Sequence, residues 1–166
     1  PWGGYVSPSG VRNFAMARYF LDGTVDTSFG SNGLVTFSLA GNHDAINTLV
    51  ERSTDNYLVA SGYALFSSRD FAIVRMSDTG VSDNTFGSGG VKIVDFNGFD
   101  DEIYASALQA DGALVVAGYT TASNGTTKRF TVTRFLNNGD LDTSFGAGSG
   151  SVIMAIGSGD SYATSV

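Results

Sequence analysis

A nine-residue segment that occurs three times is the feature that most limits how this chain can fold. The copies begin at Asp22, Thr79 and Asn138, and they read DGTVDTSFG, TGVSDNTFG and NGDLDTSFG. Their phenylalanines, at positions 29, 86 and 145, recur at intervals of 57 and 59 residues (86 − 29 and 145 − 86). A fixed period of this length indicates that one supersecondary unit is repeated.

Short β-rich runs flank every copy of the segment. The run before it places a phenylalanine, an aliphatic residue and an arginine at every second position, which puts all three on one face of a strand. These triads are Phe14/Met16/Arg18, Phe71/Ile73/Arg75 and Phe130/Val132/Arg134. Further runs, separated by Gly, Asn, Asp and Ser, are Leu34–Leu39, Val91–Phe96, Val152–Ile156, Ala45–Glu51, Ile103–Leu108, Tyr162–Val166, Tyr57–Tyr63 and Ala113–Tyr119. Each unit therefore contains four short strands, and no window has the spacing of a substantial helix.

Four strands in a repeat of about 57 residues predict an all-β fold, a β-propeller built of four-stranded blades. A coil of a β-helix would be far shorter than this repeat. A β-sandwich could hold as many strands, but it has no reason to repeat the same nine-residue turn.

The two ends of the chain match different strands of the unit. Tyr162–Val166 resembles Tyr104–Leu108, and Pro1–Tyr5 lines up with Val115–Tyr119. We therefore expect residues 1–166 to be one array of three blades, with one blade split between the termini. A closed propeller has ~4–8 blades. Either copies of the chain close a ring, with two chains giving six blades, or further blades of a longer parent chain complete it, and both alternatives stay open.

Charge and composition exclude several partners. The chain carries 9 Lys and Arg against 16 Asp and Glu, for a net charge of −7, and its two lysines are Lys92 and Lys128. Such a surface is unsuited to phosphate backbones and anionic membranes, so we expect no nucleic-acid partner. The longest apolar stretches have only the length of strands, so no membrane insertion is expected. The absence of cysteine excludes disulfides and thiolate chemistry.

The middle unit has the most informative sequence. Residues 101–119 read DEIYASALQADGALVVAGY and follow the repeated segment and its second strand run. This pattern resembles the delta-sixty repeat, a bacterial β-propeller repeat family, over essentially the whole chain, although the first unit departs from it at residues 51–56. The resemblance implies a propeller of a secreted or cell-surface bacterial protein. The family carries no assigned catalytic residues, so none is transferred here and an enzyme is not expected.

The repeated polar and aromatic residues are interpreted as structural. The motif aspartate accepts N–H groups of its own turn, the motif phenylalanine fills the contact between blades, and the strand arginine pairs with a carboxylate. These residues are Asp26, Asp83, Asp142, Phe29, Phe86, Phe145, Arg18, Arg75 and Arg134. The arginine partners are either the motif aspartates or the repeated Asp44, Asp101 and Asp160. No cofactor is expected, with a calcium site near the motif aspartates as the weaker alternative.

The loops that vary between units are the predicted contact surface, because function tends to reside on loops held by a rigid scaffold. The candidate binding residues lie in these loops or at their bases: Tyr5, Tyr63, Leu65, Phe66, Tyr119 and Asn124. The expected function is a binding or adhesion module that contacts glycans or proteins. The alternatives are a structural protein whose chains assemble into a ring, and a propeller enzyme such as a glycosidase or lyase.

Overall fold

The structure, a computed structural model, describes residues 5–6, 10–40, 43–52 and 55–166, with only the backbone at Tyr5 and Val6. Its strands are β1 (Tyr5–Val6), β2 (Arg12–Ala17), β3 (Leu34–Phe37), β4 (Ala45–Arg52), β5 (Tyr57–Leu65), β6 (Arg69–Ser77), β7 (Val91–Val94), β8 (Asp101–Leu108), β9 (Leu114–Thr121), β10 (Lys128–Phe135) and β11 (Ser151–Met154). A 3-10 turn spans Gly146–Gly148. The described part of the chain has no α-helix, and so none long and apolar enough to cross a membrane.

The strands form three antiparallel sheets in chain order. The second sheet has the order β4-β5-β6-β7 and the third β8-β9-β10-β11, whereas the first has only β1-β2-β3. The register is conserved, since Phe71 pairs with Val94 as Phe130 pairs with Met154. Within the described residues, the first sheet lacks a counterpart of β4 and β8, the first strands of the other two sheets. The predicted all-β arrangement of four-stranded units is confirmed.

Neighbouring sheets pack face to face through apolar side chains. For each sheet, we call the side that meets the preceding sheet the front face and the side that meets the following sheet the back face. The back face of the first sheet, with Phe14, Met16 and Phe29, packs on Ala72 and Val74 of the second sheet. The back face of the second sheet packs on the front face of the third, and the residues of this contact include Phe71, Ile73, Phe86, Ile103, Leu114, Val116 and Phe135. The first two strand triads seen in the sequence therefore build the contacts between sheets.

The connections divide between the two edges of the stacked sheets. One edge, which we call the motif rim, carries the three repeated segments together with the β4–β5 and β8–β9 turns. The opposite edge, the loop rim, carries the β5–β6 turn (66–68), the β9–β10 loop (122–127) and the segments 95–100 and 155–160 that follow β7 and β11. One rim is thus built from repeated sequence and the other from variable sequence.

Three predicted alignments are wrong in register. Tyr162–Val166 is not a strand, because no partner strand lies beside it among the described residues. Ser161 donates its N–H to Lys128 as Asp44 donates to Arg12, so Ser161, and not Asp160, is the counterpart of Asp44. The tail therefore aligns two residues away from the match with Tyr104.

The third error concerns β1. Tyr5 pairs with Asn13, whereas Tyr63 and Tyr119 pair with phenylalanines one position further along. Tyr5 is therefore not their counterpart, since a shift of one residue moves a side chain to the other face of a sheet. Its own side chain, and residues 1–4 of the predicted strand Pro1–Tyr5, lie outside the described part.

Replacing Phe71 with alanine tests the packing between sheets. Phe71 is fully buried and stacks edge-on against Phe96, with ring centroids 5.3 Å apart. We expect Phe71→Ala to lower the free energy of unfolding by about 3–5 kcal/mol, because it removes a large buried side chain and leaves a cavity. Urea unfolding monitored by circular dichroism measures the loss. Phe20, which is 56 % exposed on the motif rim, is the control, and a Phe20→Ala loss as large as that of Phe71→Ala would contradict the packing described.

Candidate functional site

Each repeated segment is tied to the strand before it by the same ion pair. Nε of Arg75 donates to Oδ2 of Asp83 at 2.6 Å, and the pair is almost completely buried. The corresponding distances are 2.8 Å for Arg18 to Asp26 and 2.6 Å for Arg134 to Asp142. The predicted bridge between arginine and carboxylate is therefore confirmed in all three units, and its carboxylate is the motif aspartate.

A hydroxyl residue two positions after the aspartate completes the network. In the second unit, Thr85 donates both its N–H and its Oγ1–H to Oδ1 of Asp83, and Nη2 of Arg75 donates to the same Oγ1. Ser28 and Ser144 act in the same way in the other units. The prediction did not include these hydroxyls, although the spacing Asp-x-Ser/Thr in every copy would have indicated them.

The guanidinium also connects one sheet to the next. Nη1 of Arg75 donates to the backbone carbonyl of Asn137, the residue before the repeated segment of the third sheet, and the guanidinium lies 4.9 Å from the ring centre of Phe86. The N–H of Gly87 donates to the carbonyl of Asn138 at 2.8 Å. We call this set of contacts the inter-sheet clip. The first and second sheets are joined by the same clip, from Arg18 and Gly30 to the carbonyls of Asp78 and Thr79.

Glycine is required where one repeated segment lies against the next. Gly80 and Gly139 have positive φ angles of +85° and +87°, and a Cβ built on either would lie within 3.2 Å of the backbone nitrogen of Gly30 or Gly87. No larger residue fits this approach without moving the backbone. Gly23 occupies the same position in the first unit, but no atom lies within 4 Å of its added Cβ.

The motif aspartates use both carboxylate oxygens inside the protein. Oδ1 of Asp26 accepts from Ser28, and Oδ2 accepts from Arg18. Hydrogen bonds from Ser28 and Ser144 lower the pKa values of Asp26 and Asp142. Burial alone would raise the pKa of Asp83, but the bonds from Thr85 and Arg75 outweigh it and lower that pKa as well. In the described part of the chain, no three His, Asp or Glu side chains form a group that could hold a metal ion, and the calcium site stays a prediction.

The loop rim contains the exposed members of the predicted binding set. Phe66 is 43 % exposed at the tip of the β5–β6 turn, beside the partly buried Leu65. Asn124 is exposed in the β9–β10 loop, where its Oδ1 accepts the N–H groups of Thr126 and Thr127. Its amide therefore braces the loop and does not offer these bonds to a partner.

The two tyrosines predicted at the bases of these loops are not on the surface, which corrects that part of the contact set. Tyr63 is 8 % exposed and Tyr119 is fully buried, because cations cover their rings. The guanidinium of Arg69 lies 4.7 Å from the ring centre of Tyr63, and Nζ of Lys128 lies 4.0 Å from that of Tyr119. The tyrosines support the loop rim from beneath.

A buried carboxylate joins the second and third sheets under the loop rim. Glu102 accepts hydrogen bonds from Arg69 and Asn47, both at 3.0 Å. The aromatic ring of Tyr104 lies beside that of Tyr119, with centroids 5.8 Å apart, and burial raises the pKa of both hydroxyls. Sequence analysis missed Arg69, Asn47 and Glu102, since only the packing of β4 and β6 against β8 brings them together.

Asp101 is the most strongly perturbed acid of the loop rim. It is fully buried, and its two oxygens accept the N–H groups of Phe96 and Thr121. Burial raises its pKa from the ordinary value of 3.8 to about 7; the charges of Asp95 and Asp70 add to this rise, and the backbone hydrogen bonds oppose it. Asp44 has the same role in the preceding connection, accepting from Leu39. These aspartates hold the backbone and do not pair with the strand arginines.

The second clip supplies a stability test. Asp83→Asn leaves the guanidinium of Arg75 buried without its counter-charge, so we expect it to reduce the free energy of unfolding by about 3 kcal/mol or more. Asp26→Asn is the matched control, because about a third of the side chain of its partner Arg18 is exposed and water can solvate it, although its clip is also formed within the chain. Chemical denaturation of both variants measures the difference, and equal losses would show that burial of the pair does not decide its contribution.

The pH dependence of stability tests the state of Asp101. A carboxyl whose pKa is higher in the folded state contributes stability that is complete below about pH 4 and is lost as the pH rises through about 7. The lowered pKa values of the motif aspartates act in the opposite direction, so their contribution is lost below about pH 4. We therefore expect maximum stability between about pH 4 and 6.

Thermal unfolding from pH 3 to 9 gives the profile. Asp101→Asn should remove the decline between about pH 5 and 8, whatever it does to overall stability. A decline of unchanged slope in Asp101→Asn would show that another group causes it.

Comparison with known families agrees with this architecture. A family model described as a domain of unknown function (DUF5122) beta-propeller matches residues 3–29 and 109–145, which contain most of the first and third repeated segments. No curated protein matches the chain. The match and the stacked antiparallel sheets together show a β-propeller fold, while the resemblance to the delta-sixty repeat stays a prediction.

Proposed function

We propose that the chain is a non-enzymatic β-propeller module of a secreted or cell-surface bacterial protein, and that it binds glycan or protein ligands through its loop rim. The observation that carries this proposal is the contrast between the two rims. The motif rim repeats the same residues and is occupied by the inter-sheet clips. The loop rim has connections that differ in length and chemistry on the same scaffold, and such connections can vary without disturbing the fold.

The side chains of the loop rim suit a binding surface. Phe66 presents an exposed aromatic ring in a turn closed by the hydrogen bond from its own N–H to the carbonyl of Ser68. Arg69 follows three residues later, with its side chain 39 % exposed and its position held by Glu102. Aromatic rings and arginines that are held rigidly contribute most of the energy in many interfaces, because little entropy is lost when they are bound.

A second candidate function is assembly of the chain into a ring. The observation in its favour is the path of the tail. Ser161 and Ala163 are buried, and they donate their N–H groups to the carbonyls of Lys128 and Gly118 in the third sheet. By the register given above, this tail corresponds to the start of β4 and β8, which are the first strands of the second and third sheets.

An array of surface glycans and immobilised extracellular-matrix proteins tests ligand binding. We expect Phe66→Ala to weaken the strongest binding at least tenfold, because it removes the exposed ring from the loop rim. Phe20→Ala is the matched control, since it removes an exposed ring from the motif rim. If both variants lose binding equally, or if the loss occurs only with Phe20→Ala, the loop rim is not the binding surface.

A further inference from the structure

We infer that the back face of the third sheet binds the front face of the first sheet in a second copy of this chain, so that two copies close a ring of six sheets. The inference rests on the assembly candidate and not on ligand binding at the loop rim. The two exposed end faces are the two halves of one contact that the chain already forms twice within itself.

The back face of the third sheet carries an apolar stripe that no sheet in the described part of the chain covers. Its members are Phe130, Val132, Phe145, Met154 and Ile156. The counterparts in the second sheet are Phe71, Ile73, Phe86, Val94 and Phe96, which form the contact with the third sheet. Phe71, Ile73 and Phe86 are at most 1 % exposed, whereas their counterparts Phe130, Val132 and Phe145 are only partly buried. Val94 and Phe96 are partly buried, whereas their counterparts Met154 and Ile156 are 48 % and 56 % exposed. Another sheet of the same kind would cover the stripe.

The third clip is assembled but not connected to a following segment. Arg134 binds Asp142 and Ser144 through Nε and Nη2, as in the other units. Among the described residues, its Nη1 and the N–H of Gly146 have no acceptor, whereas Arg75 and Gly87 donate from the same positions to the carbonyls of Asn137 and Asn138. The required acceptors are therefore the carbonyls of two consecutive residues, namely the residue before a repeated segment and the first residue of that segment.

The front face of the first sheet has the complementary half. Leu21 and Asp22 are the counterparts of Asn137 and Asn138, and within the described part of the chain their carbonyls accept no hydrogen bond. Gly23 has open space where Gly80 and Gly139 touch the preceding segment. Tyr19 is 43 % exposed, although Met76 and Phe135 at the same position are fully buried. The two carbonyl acceptors, Gly23 and the side chain of Tyr19 are therefore all available for a contact with another sheet.

Geometry favours a second copy as the occupant. A back face that binds a front face is a heterologous contact, and repetition of such a contact forms a ring if the rotation closes. One chain contributes three sheets, so two copies give six, within the ~4–8 blades of closed propellers. The contact needs no new chemistry, because the hydrogen bonds and apolar pairs are those of the two internal contacts.

Light scattering over a range of concentrations tests the assembly. We expect a particle of twice the 17.3 kDa chain mass. Met154→Asp should weaken the association at least tenfold by placing a charge in the back face, and Tyr19→Asp should do so from the front face. The controls are Ile153→Asp, 45 % exposed on the opposite side of the same strand, and Phe20→Asp, whose counterpart Leu136 is 43 % exposed in the third sheet. Both controls should remain dimeric, and circular dichroism confirms that each variant is folded.

Mixing the two blocked variants identifies the kind of contact. Met154→Asp retains an intact front face and Tyr19→Asp an intact back face, so the mixture should form a one-to-one complex through a single contact, although each variant alone is monomeric. A chain that stays at 17.3 kDa at every concentration would overturn the inference and the assembly candidate together. A dimer that survives both substitutions, or a mixture that does not associate, would overturn the inference alone and show that assembly uses another surface.

Discussion

The packing of each sheet on the next depends on a guanidinium at their contact, and Arg75 forms the most deeply buried example, between the second and third sheets. It holds the turn of its own unit through Asp83 and Thr85, and it reaches the backbone of the next unit at Asn137. A buried arginine is stable only when its donors are satisfied, so an arginine buried between two sheets requires both the motif of its own sheet and the backbone of the next. This requirement explains why the nine-residue segment is repeated, although its polar side chains bind only other groups of the protein.

The same requirement distinguishes the motif rim, whose sequence is constrained, from the loop rim, whose sequence can vary. Since the motif rim is occupied by clips, its sequence can change little without leaving a buried charge unpaired. The loop rim is held instead by backbone hydrogen bonds to Asp44 and Asp101 and by cations over Tyr63 and Tyr119. These supports lie below the surface, so the residues above them, such as Phe66, can vary. The same requirement explains the unused donors on the back face of the third sheet, because a clip such as that of Arg134 is complete only when another sheet lies beside it.

Much of the framework could be predicted from the sequence, because the interactions that build it are local. The alternation Phe-x-aliphatic-x-Arg places each arginine on the apolar face, where it needs a carboxylate partner. The sequence left two sets of aspartates open, and the structure selected the aspartate eight residues later. The candidate contact residues were less predictable. Tyr63 and Tyr119 lie at the bases of loops in sequence, but cations from the next strand cover them. Glu102 is bound by Arg69 and Asn47, which are far from it along the chain.

The sequence by itself determined the repeat and the four-stranded unit, because the period of 57 to 59 residues and the alternation within each strand can be read directly from it. It also indicated that each strand arginine pairs with a carboxylate, and the structure decided which one. Only the tertiary structure decided which tyrosines are buried, where the tail aligns and which faces remain uncovered. Sequence similarity matched Tyr162 with Tyr104, but the hydrogen bond from the N–H of Ser161 to the carbonyl of Lys128 sets a register that differs by two residues. Backbone hydrogen bonds and contacts between distant strands determine these features, and such interactions leave no pattern within a single stretch of sequence.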